Sequence, residues 1–231
     1  MYAVRLRAAL PRVQDRIATA LLRSGRPGEV AVVAITKGHP SEAVEAALAV
    51  GLGRCGENRV QELAAKVEAV GRDRAEWHLV GHLQRNKVRR ALELFDLIHS
   101  IDSIRLAQEL SAEAVRAGRE VIGLVQVNTS GEATKGGLAA AGALDAIAAI
   151  VALPCLRIEG LMTMAPLTDD AAVLRQTFSR ARALLDQCAR EVPAFQGCTL
   201  SMGMSNDYEL AVEEGSTMVR LGTVLFGERL R

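Results

Sequence analysis

Val30-Ala31-Val32-Val33-Ala34-Ile35-Thr36-Lys37 is an unbroken apolar run, rich in β-branched residues, that stops at a hydroxyl and an amine. Gly38, His39 and Pro40 follow, so the chain turns at once. Continuous apolarity, as opposed to alternation, suits a strand covered on both faces, as in a parallel sheet with helices outside. An amine at the carboxyl end of such a strand stands where parallel α/β proteins place their chemistry. Taken alone, Lys37 reads as a solvated strand end, the usual fate of a lysine. The rest of the chain changes that reading.

Working outward, residues 1–27 read as a lead-in with an amphipathic helix that turns Val4, Leu6, Leu10, Val13, Ile17 and Leu21 inward. After strand one (Val30 to Thr36), a helix starts with Ser41 as its cap and stops at Gly51-Leu52-Gly53. Strand two is Arg54 to Glu57, and Asn58 with Gln61 has the form of a capping box for a helix from Arg59 to Val70. Strand three runs from Glu76 to Gly81, with a basic helix from Arg85 to Leu94 behind it; strand four is Asp96 to Asp102, with Ser103 capping the next helix. Strand five, Val121 to Asn128, leads through a glycine-rich loop (Ser130 to Gly137) to an alanine-rich helix from Leu138 to Val151. Strand six is Ile158 to Met164, and Thr168, Asp169 and Asp170 open a long helix. Strand seven is Thr199 to Met204, Asn206 and Glu209 repeat the capping-box pattern, and strand eight is Met218 to Leu221, with Gly222-Thr223 entering a last helical segment.

Strands alternating with helices imply a parallel sheet. Eight such units, without a linker or a break in composition, predict one α/β domain over residues 1–231, a (β/α)8 TIM barrel with an extra N-terminal helix. An open doubly wound sheet is the alternative, weakened because no GxGxxG follows strand one and no GxxxxGK[ST] occurs.

Composition excludes several functions. The net charge of +1 and aromatic content of 3% give no electrostatic or stacking platform for nucleic acid. No stretch reaches the ~18 to 20 apolar residues of a membrane helix, and the arginine-dotted start does not resemble a secretory signal. Cys55, Cys155, Cys188 and Cys198 form no CxxC pair and read as core residues in a reducing compartment. A cytoplasmic protein is the expectation.

In a barrel the strand ends collect at one mouth: Lys37, Glu57, Asn58, His78, His82, His99 or Asp102, Asn128, Thr163 and Met164, Ser201 and Ser205, then Arg220, Gly222 and Thr223. Asn58 and Ser205 read equally as helix caps, and the histidines as structural. The end of strand eight is a common phosphate site in barrels, and Gly222-Thr223 suits it, with Ser201 and Ser205 as further donors. A lysine at strand one facing a phosphate anchor at strands seven and eight suggests a phosphorylated aldehyde; pyridoxal phosphate, held as a Schiff base, fits.

Ala34-Ile35-Thr36-Lys37, Cys55-Gly56-Glu57-Asn58, the segment from Glu76 to Lys87 (EWHLVGHLQRNK), Leu200 to Asp207 (LSMGMSND) and Gly215 to Thr223 (GSTMVRLGT) together resemble the pyridoxal phosphate homeostasis protein family, in order and across nearly the whole chain. The resemblance implies the barrel of the alanine racemase N-terminal domain. It implies that Lys37 holds the cofactor, that Arg220 faces the pyridine nitrogen, that Asn58 lies close by, and that Ser201, Ser205, Gly222 and Thr223 belong to the phosphate-holding segments. The chain departs from common members at Gly81-His82-Leu83, at Asn206 and at Thr36.

Strong carbanion chemistry on this cofactor uses a carboxylate that keeps the ring nitrogen protonated. Arginine, with a pKa above ~12, cannot accept that proton. Alanine racemase shares the arginine but adds a tyrosine from a second domain across a dimer interface, for which the residues after strand eight leave no room here. Tyr2 and Tyr208 are not evident substitutes. The expectation is a vitamin B6 carrier, not an enzyme, that stores or delivers pyridoxal phosphate to pyridoxal phosphate-dependent apoenzymes. A monomer is expected, with no nucleic acid or membrane partner. A racemase-like enzyme with Lys37 as its base is the alternative, and the basic helix (Arg85, Lys87, Arg89, Arg90) a weaker protein-docking one. Lys135 reads as a solvated loop lysine that could otherwise take part in transfer.

Overall fold

The computed structural model describes residues 1–132 and 135–228. Residues 133 and 134 of the expected glycine-rich loop, and 229–231 of the expected domain, lie outside them.

The run that opened the reading forms β1 (Ala31–Ile35). It pairs in parallel with β2 (Arg54–Glu57) on one side and with β9 (Met218–Leu221) on the other. From β2 the sheet continues through β3 (Glu76–Leu79), β4 (Leu97–Ile101), β5 (Val121–Asn128), β7 (Leu156–Met162) and β8 (Thr199–Ser201) back to β9. The β4–β5 pairing closes the ring, so among the described residues eight parallel strands form the expected barrel. A two-residue strand, β6 (Leu138–Ala139), adds to the end of β5.

Two-sided burial explains the continuous apolar runs. Inward residues Val33, Ile35, Leu97, Leu124, Met162 and Met218 pack together inside the ring. Outward ones, such as Cys55, Trp77, Leu79, Ile98 and Leu200, pack under the helices. These include α2 (Ser41–Leu48), α3 (Val60–Val70), α4 (Val88–Leu94), α5 (Ile104–Ala117), α6 (Ala143–Val151), α7 (Ala171–Glu191) and α8 (Tyr208–Glu213). The segment after β9, α9 (Thr223–Phe226), is too short to cover β9 and β1. The N-terminal helix α1 (Tyr2–Ser24) does so instead, burying Leu6, Leu10, Val13, Ile17 and Ala20 against α2, α8 and α9. No described helix is long and apolar enough to cross a membrane.

Several local expectations are corrected. Asn58 does not cap α3, whose N-cap is Arg59; Asn206 does not cap α8, whose N-cap is Asp207; and Ser41 is the first residue of α2. A capping box is a side-chain pattern, and it forms only where the chain enters the helix at that residue. Ser103 does cap α5, accepting from the Leu106 N–H at 3.3 Å, and Asp170 caps α7. The helix expected from Leu138 starts at Ala143, because residues 138–139 pair with β5. The basic segment begins as a 3₁₀ turn, Arg85–Lys87, before α4. Val4 is 75% exposed, and Cys155 and Cys198 lie at the surface while Cys55 and Cys188 are buried.

Trp77 is fully buried, with its ring N–H donating to the Arg72 carbonyl at 3.0 Å. Trp77→Ala should cost about 3–5 kcal/mol of stability, and Trp77→Phe clearly less, read by urea unfolding with circular dichroism.

Candidate functional site

Inward positions at the carboxyl ends of the strands line a cavity of about 500 Å³. That volume is within the ~300–1,000 Å³ of small-molecule sites. Lys37 enters it from the end of β1, Asn58 from β2, Gln126 from β5, Met164 from β7, Ser205 from beyond β8, and Arg220, Gly222 and Thr223 from β9 and its extension. Gly81 passes so close to Asn58 that a Cβ there would lie 2.5 Å from the Asn58 carbonyl oxygen, so glycine is what lets the two strand ends meet. A larger hollow, about 800 Å³, opens at the amino ends of the strands. Its arginines are paired, Arg54 with Glu76, Arg72 with Asp96 and Arg74 with Glu45.

The backbone around Lys37 is held by α3. Lys66 Nζ donates to the Thr36 carbonyl at 2.7 Å and to Glu57 Oε1 at 2.5 Å. The Thr36 hydroxyl donates to the same Glu57 oxygen, and the Gly38 N–H donates to Glu62. The peptide groups on both sides of Lys37 are therefore pinned, while its half-buried side chain lines the cavity. Glu57 is completely buried, and desolvation pushes its carboxyl pKa up against the pull of Lys66. Its Oε2 has no hydrogen-bond partner among the described residues. Sequence reasoning placed Glu57 at the mouth; it lies behind Lys37, facing the helix layer.

Arg220 forms the cavity floor. It is 4% exposed, and it donates to Ser201 Oγ at 2.6 Å and to the Thr163 carbonyl at 2.9 Å. Burial lowers its pKa to about 10, opposed by the charge of Asp207, so it remains a cation at neutral pH. Ser201 is fully buried beside Arg220 and does not line the cavity, so its hydroxyl serves the arginine. Ser205 does line it, and its oxygen accepts from the Gly222 and Val224 N–H groups at 3.3 and 3.2 Å. Two backbone donors thus converge on the Ser205 oxygen at the cavity wall.

His82 and Asp102 lie at the rim, His82 Nδ1 2.8 Å from Asp102 Oδ2. His78 and His99 are buried inside the barrel. Asn128 is not a cavity residue; it organises the following loop by donating to the Glu132 and Lys135 carbonyls, and Lys135 then reaches the cavity wall. Gln126 and His39 were missed in the sequence. Gln126 lies two positions after the inward Leu124 on β5, so strand alternation was the available signal for it, whereas His39 lies in the turn beyond β1, where alternation gives none. Tyr2 donates to or accepts from His39 Nδ1 at 3.1 Å, whereas Tyr208 is buried against α1, with the Arg16 guanidinium over its ring.

A family profile described as "Alanine racemase, N-terminal domain" matches residues 10–230. The "Pyridoxal phosphate homeostasis protein" of Aquifex aeolicus is 40% identical over 95% of this chain and 96% of its own length. PipY of Synechococcus elongatus, solved with PLP bound, is 39% identical with a TM-score of 0.80, covering 93% of this chain and 100% of that one. Alanine racemase of Clostridium difficile 630 has a TM-score of 0.74 at 14% identity over 93% of this chain and 57% of that one, a likeness of fold alone.

Lys66→Met strands a buried carboxylate and should cost about 3–5 kcal/mol at pH 7. Because Glu57 titrates above its ordinary range, the loss should shrink as pH falls and the carboxyl protonates, and Glu57→Gln in the same chain should recover part of it. Burial holds the pKa of His99 well below the usual histidine value, so only the unfolded chain takes up its proton. Stability should then fall by up to about 1.4 kcal/mol per pH unit below about pH 6.5, measured by urea unfolding across that range.

Proposed function

The chain belongs to the pyridoxal phosphate homeostasis protein family, and from that premise we propose that it binds pyridoxal 5'-phosphate at Lys37 and holds it reversibly for storage and delivery. The donor set fits the group: an amine on a pinned strand end, a buried guanidinium at the floor and convergent N–H groups at Gly222 and Val224. When bound, the cofactor supplies an aldehyde carbon that an amine captures as a C=N bond with loss of water, reversibly toward water or a second amine. Lys37 supplies that amine. Gly222, Thr223 and Ser205 would supply donors to the phosphate, and Asn58 would border the ring.

The observation that carries the holder reading is Arg220. A guanidinium donates to the ring nitrogen and cannot take a proton from it or keep one on it. Even lowered to about 10, its pKa leaves it charged. The ring is then a poor electron sink, and neither Tyr2 nor Tyr208 lines the cavity as a second base, which together favour holding over catalysis.

A second reading, proton exchange at an amino-acid Cα with Lys37 as base, draws on the His82–Asp102 pair, which adds another titratable group to the cavity wall.

Protein loaded with pyridoxal phosphate and then freed of unbound cofactor by gel filtration should keep a visible absorbance band that Lys37→Ala abolishes. A protein that stays colourless would sink the cofactor reading. Incubating the loaded protein with L-amino acids in deuterated water should give no Cα exchange at catalytic rates; rapid exchange that His82→Gln removes would establish the enzyme reading.

A further inference from the structure

The polar floor of the cavity does not end at Arg220. Below the guanidinium, a line of side chains crosses the apolar barrel interior. Ser201 Oγ, which accepts from Arg220 at 2.6 Å, lies 3.0 Å from His99 Nδ1; His99 Nε2 lies 2.8 Å from His78 Nδ1; and His78 Nε2 lies 2.9 Å from Glu76 Oε1. Ser201, His99 and His78 are 0% exposed. Glu76 alone reaches water, at the amino end of β3, where Arg54 also bonds it at 3.0 Å. At the other end Asp207 is the acid whose charge acts on Arg220.

The two ends set the direction of every bond between them. A guanidinium only donates and a carboxylate only accepts. With its oxygen accepting from Arg220, the Ser201 hydroxyl has His99 Nδ1 as the acceptor for its own proton. His99 then donates from Nε2 to His78 Nδ1, and His78 donates from Nε2 to Glu76. Reversed, His78 would turn a lone pair toward the Glu76 carboxylate or become a cation beside His99, whose ring centre is 5.0 Å away. Burial keeps His99 neutral, and the bond from His78 holds Glu76 below the ordinary carboxylate range, both in keeping with this direction.

We propose that Glu76, His78, His99 and Ser201 are positioning residues for Arg220, forming one polarised hydrogen-bond chain from the amino rim of the barrel to the cavity floor that sets how the guanidinium meets the ring nitrogen of bound pyridoxal phosphate. The cofactor half of this proposal rests on the function proposed above. The chain itself is a property of the protein alone. Its members act through Arg220 and lie outside the cavity wall, so their effect is on its orientation and donor strength.

The first arm of the test needs no cofactor. Imidazole 15N NMR of the full-length apoprotein at about pH 8 should show the proton on Nε2 of both His78 and His99, with His99 not titrating between about pH 5 and 8. An Nδ1–H tautomer on either ring, or an ordinary His99 titration, overturns the chain. In the second arm pyridoxal phosphate is added to wild type, Ser201→Ala and Glu76→Gln. Ser201→Ala should shift the His99 signals and weaken binding by at most about tenfold, because the Arg220–Ser201 bond exists without cofactor and only its effect on the guanidinium's placement reaches affinity. Glu76→Gln, a conservative change at the exposed rim, should leave the fold intact yet move the pH midpoint of the cofactor's visible band. If Ser201→Ala shifts the His99 signals but leaves affinity and spectrum unchanged, the positioning role is overturned. A wild-type protein that takes up no pyridoxal phosphate sinks the site reading and the cofactor half together, while the tautomers still decide whether the chain exists.

Discussion

The Glu57–Lys66 ion pair ties the helix layer to the one strand end from which Lys37 enters the cavity. Its ammonium bonds the carboxylate and the Thr36 carbonyl together, and Glu62 on the same helix takes the Gly38 N–H. A buried ion pair contributes little net stability, because desolvation of both charges offsets most of their attraction. Its effect here is on geometry. With the peptides flanking Lys37 held from one helix, motion of the amine is confined to its own side-chain torsions. In the proposed function an amine that takes and releases an aldehyde would gain from that, since less orientational freedom is lost on capture.

Behind this clamp the barrel interior divides into two media. Val33, Leu97, Leu124 and Met218 make an apolar filling of the kind expected for a closed eight-stranded sheet. Through it runs a polar line that ends at Arg220, and above Arg220 the cavity opens. A buried cation survives there because its bonds to Ser201 and Thr163 are short and an acid, Asp207, lies within electrostatic reach. The cation at the cavity floor thus depends on the barrel's own interior for its placement.

The barrel has an irregularity at its seam. A helix after β9 would cover the β9–β1 contact, but α9 has four residues. α1 takes that place with a stripe of buried residues at alternating four and three spacing, and it brings Tyr2 within hydrogen-bond distance of His39 beside Lys37. The lead-in thus seals the barrel and contributes to the surroundings of the lysine.

Barrel and strand order were legible in the sequence, because two-faced burial is written into each strand's own composition, and with them the strand ends near which Lys37 and Arg220 sit. The caps were less legible: Asn58 and Asn206 carry the right side chains, but the helices start one residue later, at positions decided by packing of the whole element. Ser201 and Ser205 looked alike as hydroxyls after an apolar strand, yet one bonds Arg220 inside the barrel and the other faces the cavity. Nothing local marks His78, His99 and Ser201 as partners, since His99 and Ser201 are 102 residues apart. The sequence by itself determined the architecture and the charged groups available at its mouth. Only the tertiary structure decided which polar groups meet, because a hydrogen bond needs strands from distant parts of the chain in one register, and no single strand's composition records its neighbour's register.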